Sequence, residues 1–152
     1  MSINEYILHC SILHTTIDSG SYIVMAVFER PYRPLDLNIS QTEGFPLTSM
    51  AEKLTKEADS ATSGRASLTL ARGDEMTVVL VSMKAGVTLE EHSAPATATV
   101  VTLSGNILFT TKTKNVTLIQ GESVTFTADI DHSVHANEDS VFLIIIGGKH
   151  SA

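Results

Sequence analysis

Evenly spaced glycines and histidines in the middle of the chain constrain its fold more than any other feature. Gly86 is followed after five residues by His92, and Gly121 is followed after ten residues by His132. Small and apolar residues alternate around them, with the period of two residues that β-strands show. Glycine adopts the positive φ that tight turns need. The pattern therefore predicts two hairpins, each presenting one histidine to the same side of a sheet.

Short strand patterns follow one another through the C-terminal half of the chain. Turn residues separate them, and Gly105 with Asn106 is a pair suited to positive φ. Short strands at regular spacing are typical of an all-β sandwich or barrel. The predicted strands are residues 67–71, 76–83, 96–104, 107–111, 116–119, 124–127, 133–136 and 141–146.

One amphipathic helix is predicted over residues 47–58. Leu47, Met50 and Leu54 recur with helical spacing and form one apolar stripe. Pro46 lies just before the helix, and Ser49-x-x-Glu52 has the spacing of a capping box. We expect this helix to pack on the outside of a sheet.

The sequence divides into an N-terminal extension (residues 1–45), a helix with its linker (46–64) and a main β domain (65–148). In the extension, Tyr22–Phe28 is strand-like, and Pro31 ends the run because proline has no N–H to donate to a ladder. Two alternatives stay open. Either this run adds an edge strand to the barrel or to a partner subunit, or the whole extension packs loosely.

Composition excludes several classes of partner. A formal charge of -7 disfavours nucleic acid, because lysine and arginine must neutralise its phosphates. No apolar run approaches the roughly 18 residues that cross a bilayer, so no membrane association is predicted. Cys10 is the single cysteine, which excludes an internal disulfide and favours a reducing compartment. We therefore expect a cytoplasmic location.

The glycine–histidine patterns resemble the two sequence motifs of the cupin superfamily. In the first motif of that family, a glycine is followed by five residues, by His-x-His and then by a glutamate. His92 and His132 match histidine positions of the two motifs, whereas Ala94 and Ala98 stand where the family has its second histidine and its glutamate. The resemblance covers about residues 65–147. It implies an RmlC-like, all-β fold: a single cupin jelly-roll barrel with one short helix packed outside.

The resemblance also implies a degenerate metal site. Three histidines and one carboxylate hold iron, manganese, nickel or zinc in the family, and alanine has no donor atom. His92 and His132 remain as candidate metal ligands, and Glu90 is a third candidate because it shares strand parity with His92. Two imidazoles bind metal weakly, so no cofactor is expected, with a divalent transition metal as the alternative. His135 has the opposite parity to His132 and is predicted at the surface.

Three functions are compatible with these residues. The first is a small-molecule-binding or regulatory module, in which His92 and His132 lie close together inside the barrel and contact an unknown ligand. The second is a metal-dependent enzyme of the dioxygenase or isomerase type, which needs a third donor near both histidines. The third is a structural, self-associating module. No catalytic residue is assigned.

Two continuous apolar runs predict a homodimer. Residues 78–81 and 142–146 carry more apolar surface than one inner face of a barrel needs. The helix, the N-terminal run or a second subunit must cover that surface. If a second subunit does so, we expect an interface with two-fold symmetry.

Overall fold

The computed structural model describes residues 10–16 and 22–148. None of these residues belongs to a helix with the length and hydrophobicity that a membrane crossing requires. The described elements are β1 (Cys10–Thr16), β2 (Tyr22–Phe28), β3 (Leu35–Asp36), α1 (Leu47–Ser60), β4 (Arg65–Arg72), β5 (Met76–Met83), β6 (Thr88–His92), β7 (Ala98–Ser104), β8 (Asn106–Thr111), β9 (Asn115–Ile119), β10 (Ser123–Phe126), β11 (His132–Ala136) and β12 (Ser140–Gly147).

Most of the strands form two sheets that face each other. One sheet has six strands in the order β10-β7-β12-β5-β4-β3, and the other has four in the order β6-β11-β8-β9. Side chains from both sheets meet in one buried cluster, in which Val81 and Phe142 of the first contact the same core as Phe109 and Val134 of the second. This jelly-roll barrel confirms the prediction of an all-β fold with one helix outside.

Strands β5 and β12 are apolar on both faces because both faces are buried. They pair antiparallel, from Met83 opposite Ser140 to Met76 opposite Gly147. Their inward side chains join the barrel core, and their outward side chains join a second buried cluster beneath α1. The two apolar runs that suggested a homodimer are therefore covered within one subunit from Val78 to Val81 and from Phe142 to Ile144.

Helix α1 covers the outer face of the six-stranded sheet. Met50, Leu54 and Ala58 are buried on its inner side, and burial of a leucine or methionine side chain contributes about 2 kcal/mol. The predicted capping box is wrong, because the helix begins before Ser49 and its N-cap residue is Pro46. From inside the first turn, Ser49 Oγ donates to the carbonyl of Pro46 at 3.1 Å.

The N-terminal segment contributes a hairpin and an edge strand. Strand β2 pairs with β1 in a sheet of their own, and the short β3, parallel to β4, takes the edge of the barrel sheet. The alternative in which Tyr22–Phe28 extends the barrel is therefore not realised. Phe28, at the end of β2, is 1% exposed, and Lys53 Nζ lies 4.7 Å from its ring centroid. A 2.8 Å ion pair between Arg30 and Glu57 also connects this region to α1.

The turn glycines lie at corners between the two sheets. Gly86, Gly105 and Gly121 each have a φ of 84°, a conformation that costs glycine nothing. They connect β5 to β6, β7 to β8 and β9 to β10, and each connection passes from one sheet to the other. The two predicted hairpins are therefore wrong. A turn residue shows where a strand ends, but it does not show which strand becomes its neighbour.

Candidate functional site

His92 and His132 lie side by side at one end of the barrel, which we call the barrel mouth. They are opposite residues of the antiparallel pair β6 and β11, and their ring centroids are 4.3 Å apart with an interplanar angle of 58°. His132 is only 4% exposed, whereas His92 is exposed at the rim. The structure thus brings the two histidines together as expected, and their role in binding stays a prediction.

A β-bulge in β6 sets the direction of His92. Val134 lies opposite Leu89 and His132 lies opposite His92, so β6 has one more residue than β11 between the two pairs. An extra residue inverts the alternation of side chains beyond it. His92 therefore shares the inner face with Leu89, which packs against the barrel core, and the assumed parity between Glu90 and His92 is lost.

Both imidazoles are tethered by the same kind of hydrogen bond. His132 Nδ1 lies 2.8 Å from the carbonyl oxygen of Ile130, and His92 Nδ1 lies 2.7 Å from that of Glu90. A carbonyl oxygen can only accept, so each Nδ1 carries the proton. In the neutral ring the lone pair is then on Nε2. Among the described residues, neither Nε2 has a hydrogen-bond partner.

Two phenylalanines complete a group of four rings, which we call the ring cluster. Phe109 stacks on His132 with centroids 4.9 Å apart and an interplanar angle of 18°. The ring centroid of Phe126 lies 4.6 Å from that of His132 and 4.9 Å from that of Phe109. Sequence reasoning missed both phenylalanines. The alternation of Ile107 and Phe109 along β8 was the available signal, because it places Phe109 on the inner face.

The surroundings of His132 favour its neutral form. Burial is the largest effect and lowers the pKa of His132. The hydrogen bond to the Ile130 carbonyl partly opposes it, and the smaller effects of His92 and Asp131 lower and raise the pKa respectively. Beside it, the Lys112 ammonium donates to Asp131 at 2.8 Å. This hydrogen bond holds the pKa of Asp131 below its ordinary value.

Two loops border the barrel mouth. Residues 93–97 connect β6 to β7, and residues 127–131 connect β10 to β11. They are joined by a hydrogen bond of 3.0 Å from the backbone N–H of Asp129 to the carbonyl of Ala94. Asp129 has a φ of 61° and is the one described residue other than glycine with positive φ.

Solved structures show the same architecture at low sequence identity. The chain is similar to a conserved protein of unknown function from Streptococcus pyogenes, with a TM-score of 0.59 and 20% identity over 80% of this chain and 99% of the other. It is also similar to a cupin superfamily protein from Desulfitobacterium hafniense, with a TM-score of 0.59 and 20% identity over 74% of this chain and 96% of the other. The chain has the cupin fold.

A third structure matches over a shorter range. A cupin 2 conserved barrel domain protein from Leptotrichia buccalis has 26% identity and a TM-score of 0.54, over 57% of this chain and 42% of the other. No family model matches the sequence, and no curated protein matches it either. The assignment of the cupin fold therefore rests on three-dimensional similarity.

The donor set does not fit the metal centre that the cupin fold commonly carries. Ala94 and Ala98 are buried, and neither offers a donor atom at its ligand position. Within the described residues, no three His, Cys, Asp or Glu side chains converge on one point. The Glu90 carboxylate therefore does not join His92 and His132, because the bulge separates it from them. Two imidazoles alone leave most coordination positions of a transition metal without protein ligands.

Two other features of this cupin fold lie away from the barrel mouth. His135 faces the outside of the four-stranded sheet, as its parity predicted, and is half-buried with Nδ1 2.7 Å from Thr88 Oγ1. An open groove of about 670 Å³ runs between α1 and the ends of β7 and β12, with Leu103 and Val141 on its floor. The groove and the ring cluster share no lining residue, so this groove is separate from the histidines.

Proposed function

We propose that this cupin-fold protein binds a small molecule at the barrel mouth, without a cofactor. The proposal rests on one observation: the adjacent rings of His92 and His132 each have Nδ1 fixed by a backbone carbonyl and Nε2 without a protein partner. Ligand sites typically place a few polar groups among apolar and aromatic side chains. Two neighbouring imidazole acceptors beside Phe109 and Phe126 match that composition.

The ring cluster offers such a ligand both hydrogen bonds and apolar contacts. A hydrogen bond to Nε2 contributes about 1 kcal/mol net, and a ligand that contacts both rings can make two. Apolar atoms of the ligand can contact Phe126, which is half-buried at the mouth. Binding here is reversible and needs no covalent step.

A titration of the full-length protein tests this proposal. Fragments that combine a ring with one hydrogen-bond donor should shift the imidazole NMR resonances of His92 and His132. His135→Ala is the matched control, because His135 lies three residues from His132 on the opposite face of β11. His92→Ala should weaken fragment binding, and His135→Ala should not. Equal weakening by both variants would contradict a site at the barrel mouth.

We also propose a homodimer formed through the outer face of the four-stranded sheet. The helix already covers the other sheet, whereas this face presents Leu108 and a 51% exposed Ile119. Charged residues are depleted at interface cores, and the outward positions of β8 and β11 are uncharged. Ile119→Glu should shift the mass measured by light scattering toward a monomer. Ile39→Glu, at a 59% exposed position outside that sheet, should leave the mass unchanged.

A cytoplasmic location completes the proposal. The single cysteine of the chain, Cys10, supports it, because secreted domains of this size often carry paired cysteines. Fractionation of the expressing cells, followed by immunoblotting, would test it. Recovery in an extracytoplasmic fraction would contradict it.

A further inference from the structure

The charges around the barrel mouth are predominantly negative. Within three residues of His92 or His132 the chain carries four carboxylates and no lysine or arginine. Lys112, on the neighbouring strand end, is a nearby cation: it pairs with Asp131 at 2.8 Å and its charge also interacts with Glu91. We call three of the four carboxylates, Glu91, Asp129 and Asp131, the rim, because the bulge in β6 separates Glu90 from the two histidines. Such a rim repels anions and raises the local concentration of cations.

Hydrogen bonding at the mouth requires a donor on the ligand. The carbonyls of Ile130 and Glu90 fix both Nδ1–H groups, so the two Nε2 atoms can only accept from a bound molecule. His132 is 4% exposed, and its unpaired acceptor lies among aromatic rings. A ligand carboxylate would therefore meet lone pairs as well as negative charge.

Aromatic faces at the mouth also favour a cation. The face of a phenylalanine ring attracts an ammonium group through its quadrupole. Phe126 is half-buried and contacts His132 at 4.6 Å. Ile130, which is 38% exposed, adds an apolar surface in the loop before His132. The mouth thus combines hydrogen-bond acceptors, aromatic faces and an apolar side chain with a rim of carboxylates.

We infer that the ligand of this site is an organic cation: a protonated amine joined to an apolar group. The inference rests on the proposed small-molecule function and narrows it to one chemical class. The ammonium N–H groups donate to Nε2 of His92 and His132, the carboxylates of the rim supply the long-range attraction, and the apolar group contacts Phe126 and Ile130.

Three probes of similar shape separate charge from size. Benzylammonium, benzyl alcohol and benzoate are titrated separately into the full-length protein at neutral pH and low salt, and the His92, His132 and His135 ring resonances are followed by NMR. We expect benzylammonium to bind roughly tenfold more tightly than benzyl alcohol, to shift His92 and His132 but not His135, and to weaken with added salt.

The outcomes distinguish this inference from the proposed function. Benzoate or benzyl alcohol binding at the two histidines as tightly as benzylammonium would overturn the cation inference and leave the small-molecule site intact. Failure of all three probes to shift His92 and His132 would overturn both.

A pair of charge variants tests the rim directly. Glu91→Gln combined with Asp129→Asn should weaken benzylammonium several-fold and leave benzyl alcohol unchanged, because only the charged probe senses the carboxylates. Glu138→Gln combined with Asp139→Asn is the matched control, since it also removes two charges and both residues lie beyond the opposite end of β11. Equal effects of the two charge changes on benzylammonium would contradict the inference.

Discussion

The backbone N–H of Asp129 donates to the carbonyl of Ala94 at 3.0 Å and so joins the two loops that border the barrel mouth. Asp129 makes this bond from a left-handed conformation, with a φ of 61°. Aspartate tolerates that conformation better than most residues because its short side chain can hydrogen-bond locally. The loop that carries Ile130 and leads to His132 is therefore positioned by one unusual backbone geometry.

Substitutions of Asp129 should differ in stability according to how readily the new residue adopts a positive φ. Asp129→Gly should stay within about 1 kcal/mol of the parent, because glycine adopts positive φ freely but loses more entropy on folding. Asp129→Val should lower the free energy of unfolding by about 1–2 kcal/mol more than glycine, since a β-branched residue is strained there. Urea unfolding measures both. Equal stability of the two variants would argue against the left-handed conformation.

The pH dependence of stability should carry a contribution from His132. Burial holds the folded-state pKa of His132 below the ordinary value of a histidine, so the unfolded chain binds this proton more readily. The contribution is fully present above about pH 6.5 and is lost as the pH falls toward the folded-state pKa, by at most about 1.4 kcal/mol per pH unit. His132→Phe should flatten the decrease between pH 7 and pH 5. Parallel curves for His132→Phe and the parent would contradict this expectation.

Restoring the missing donor atoms should create metal affinity. Ala94→His with Ala98→Glu places an imidazole and a carboxylate at the two ligand positions that hold alanine. Because metal binding to the folded state stabilises it, added Zn²⁺ or Mn²⁺ should raise the Tm of this double variant and its metal content by mass spectrometry. Ala94→His with Ala98→Gln is the control that keeps the shape and removes the charge. A parent protein with stoichiometric, chelator-resistant metal would contradict the proposed absence of a cofactor.

Phe28 should anchor the N-terminal hairpin. Its ring is buried in the cluster beneath α1, and Lys53 Nζ donates to its carbonyl. Phe28→Ala should lower the free energy of unfolding by about 3–5 kcal/mol, the usual cost of removing a buried phenylalanine. Ile39→Ala, at an exposed position of the same extension, should change it by less than about 0.5 kcal/mol. A loss below 1 kcal/mol for Phe28→Ala would indicate that the hairpin contributes little to stability.

The sequence predicts the positions of the strands and the helix better than it predicts which strands pair with each other. The predicted strand over residues 76–83 coincides with β5, and the predicted helix over residues 47–58 is α1 without its last two residues. Both follow from local periodicity, which a single segment contains. The Gly86 and Gly121 patterns were expected to be hairpins. That prediction was wrong, because strand pairing depends on contacts between distant segments.

At the site, too, local sequence patterns predict some features and miss those that depend on contacts between distant segments. The spacing of glycine and histidine within the two motifs was sufficient to predict that His92 and His132 lie close together. The bulge in β6 was not predictable, because it depends on the register with β11. It removes the shared strand parity on which the prediction for Glu90 was based. The contact between Phe126 and His132 joins β10 of one sheet to β11 of the other, and no local pattern predicts such a contact.

Strand β12 has a consequence for the order in which the chain can fold. It lies between β5 and β7 in the middle of the six-stranded sheet, yet it is the last strand described along the chain. During synthesis, β5 and β7 are made well before the strand that joins them, so the barrel cannot close until residue 147 has left the ribosome. Folds with such distant pairings fold in milliseconds to seconds, and until then the apolar faces of β5 and β7 remain exposed to other chains.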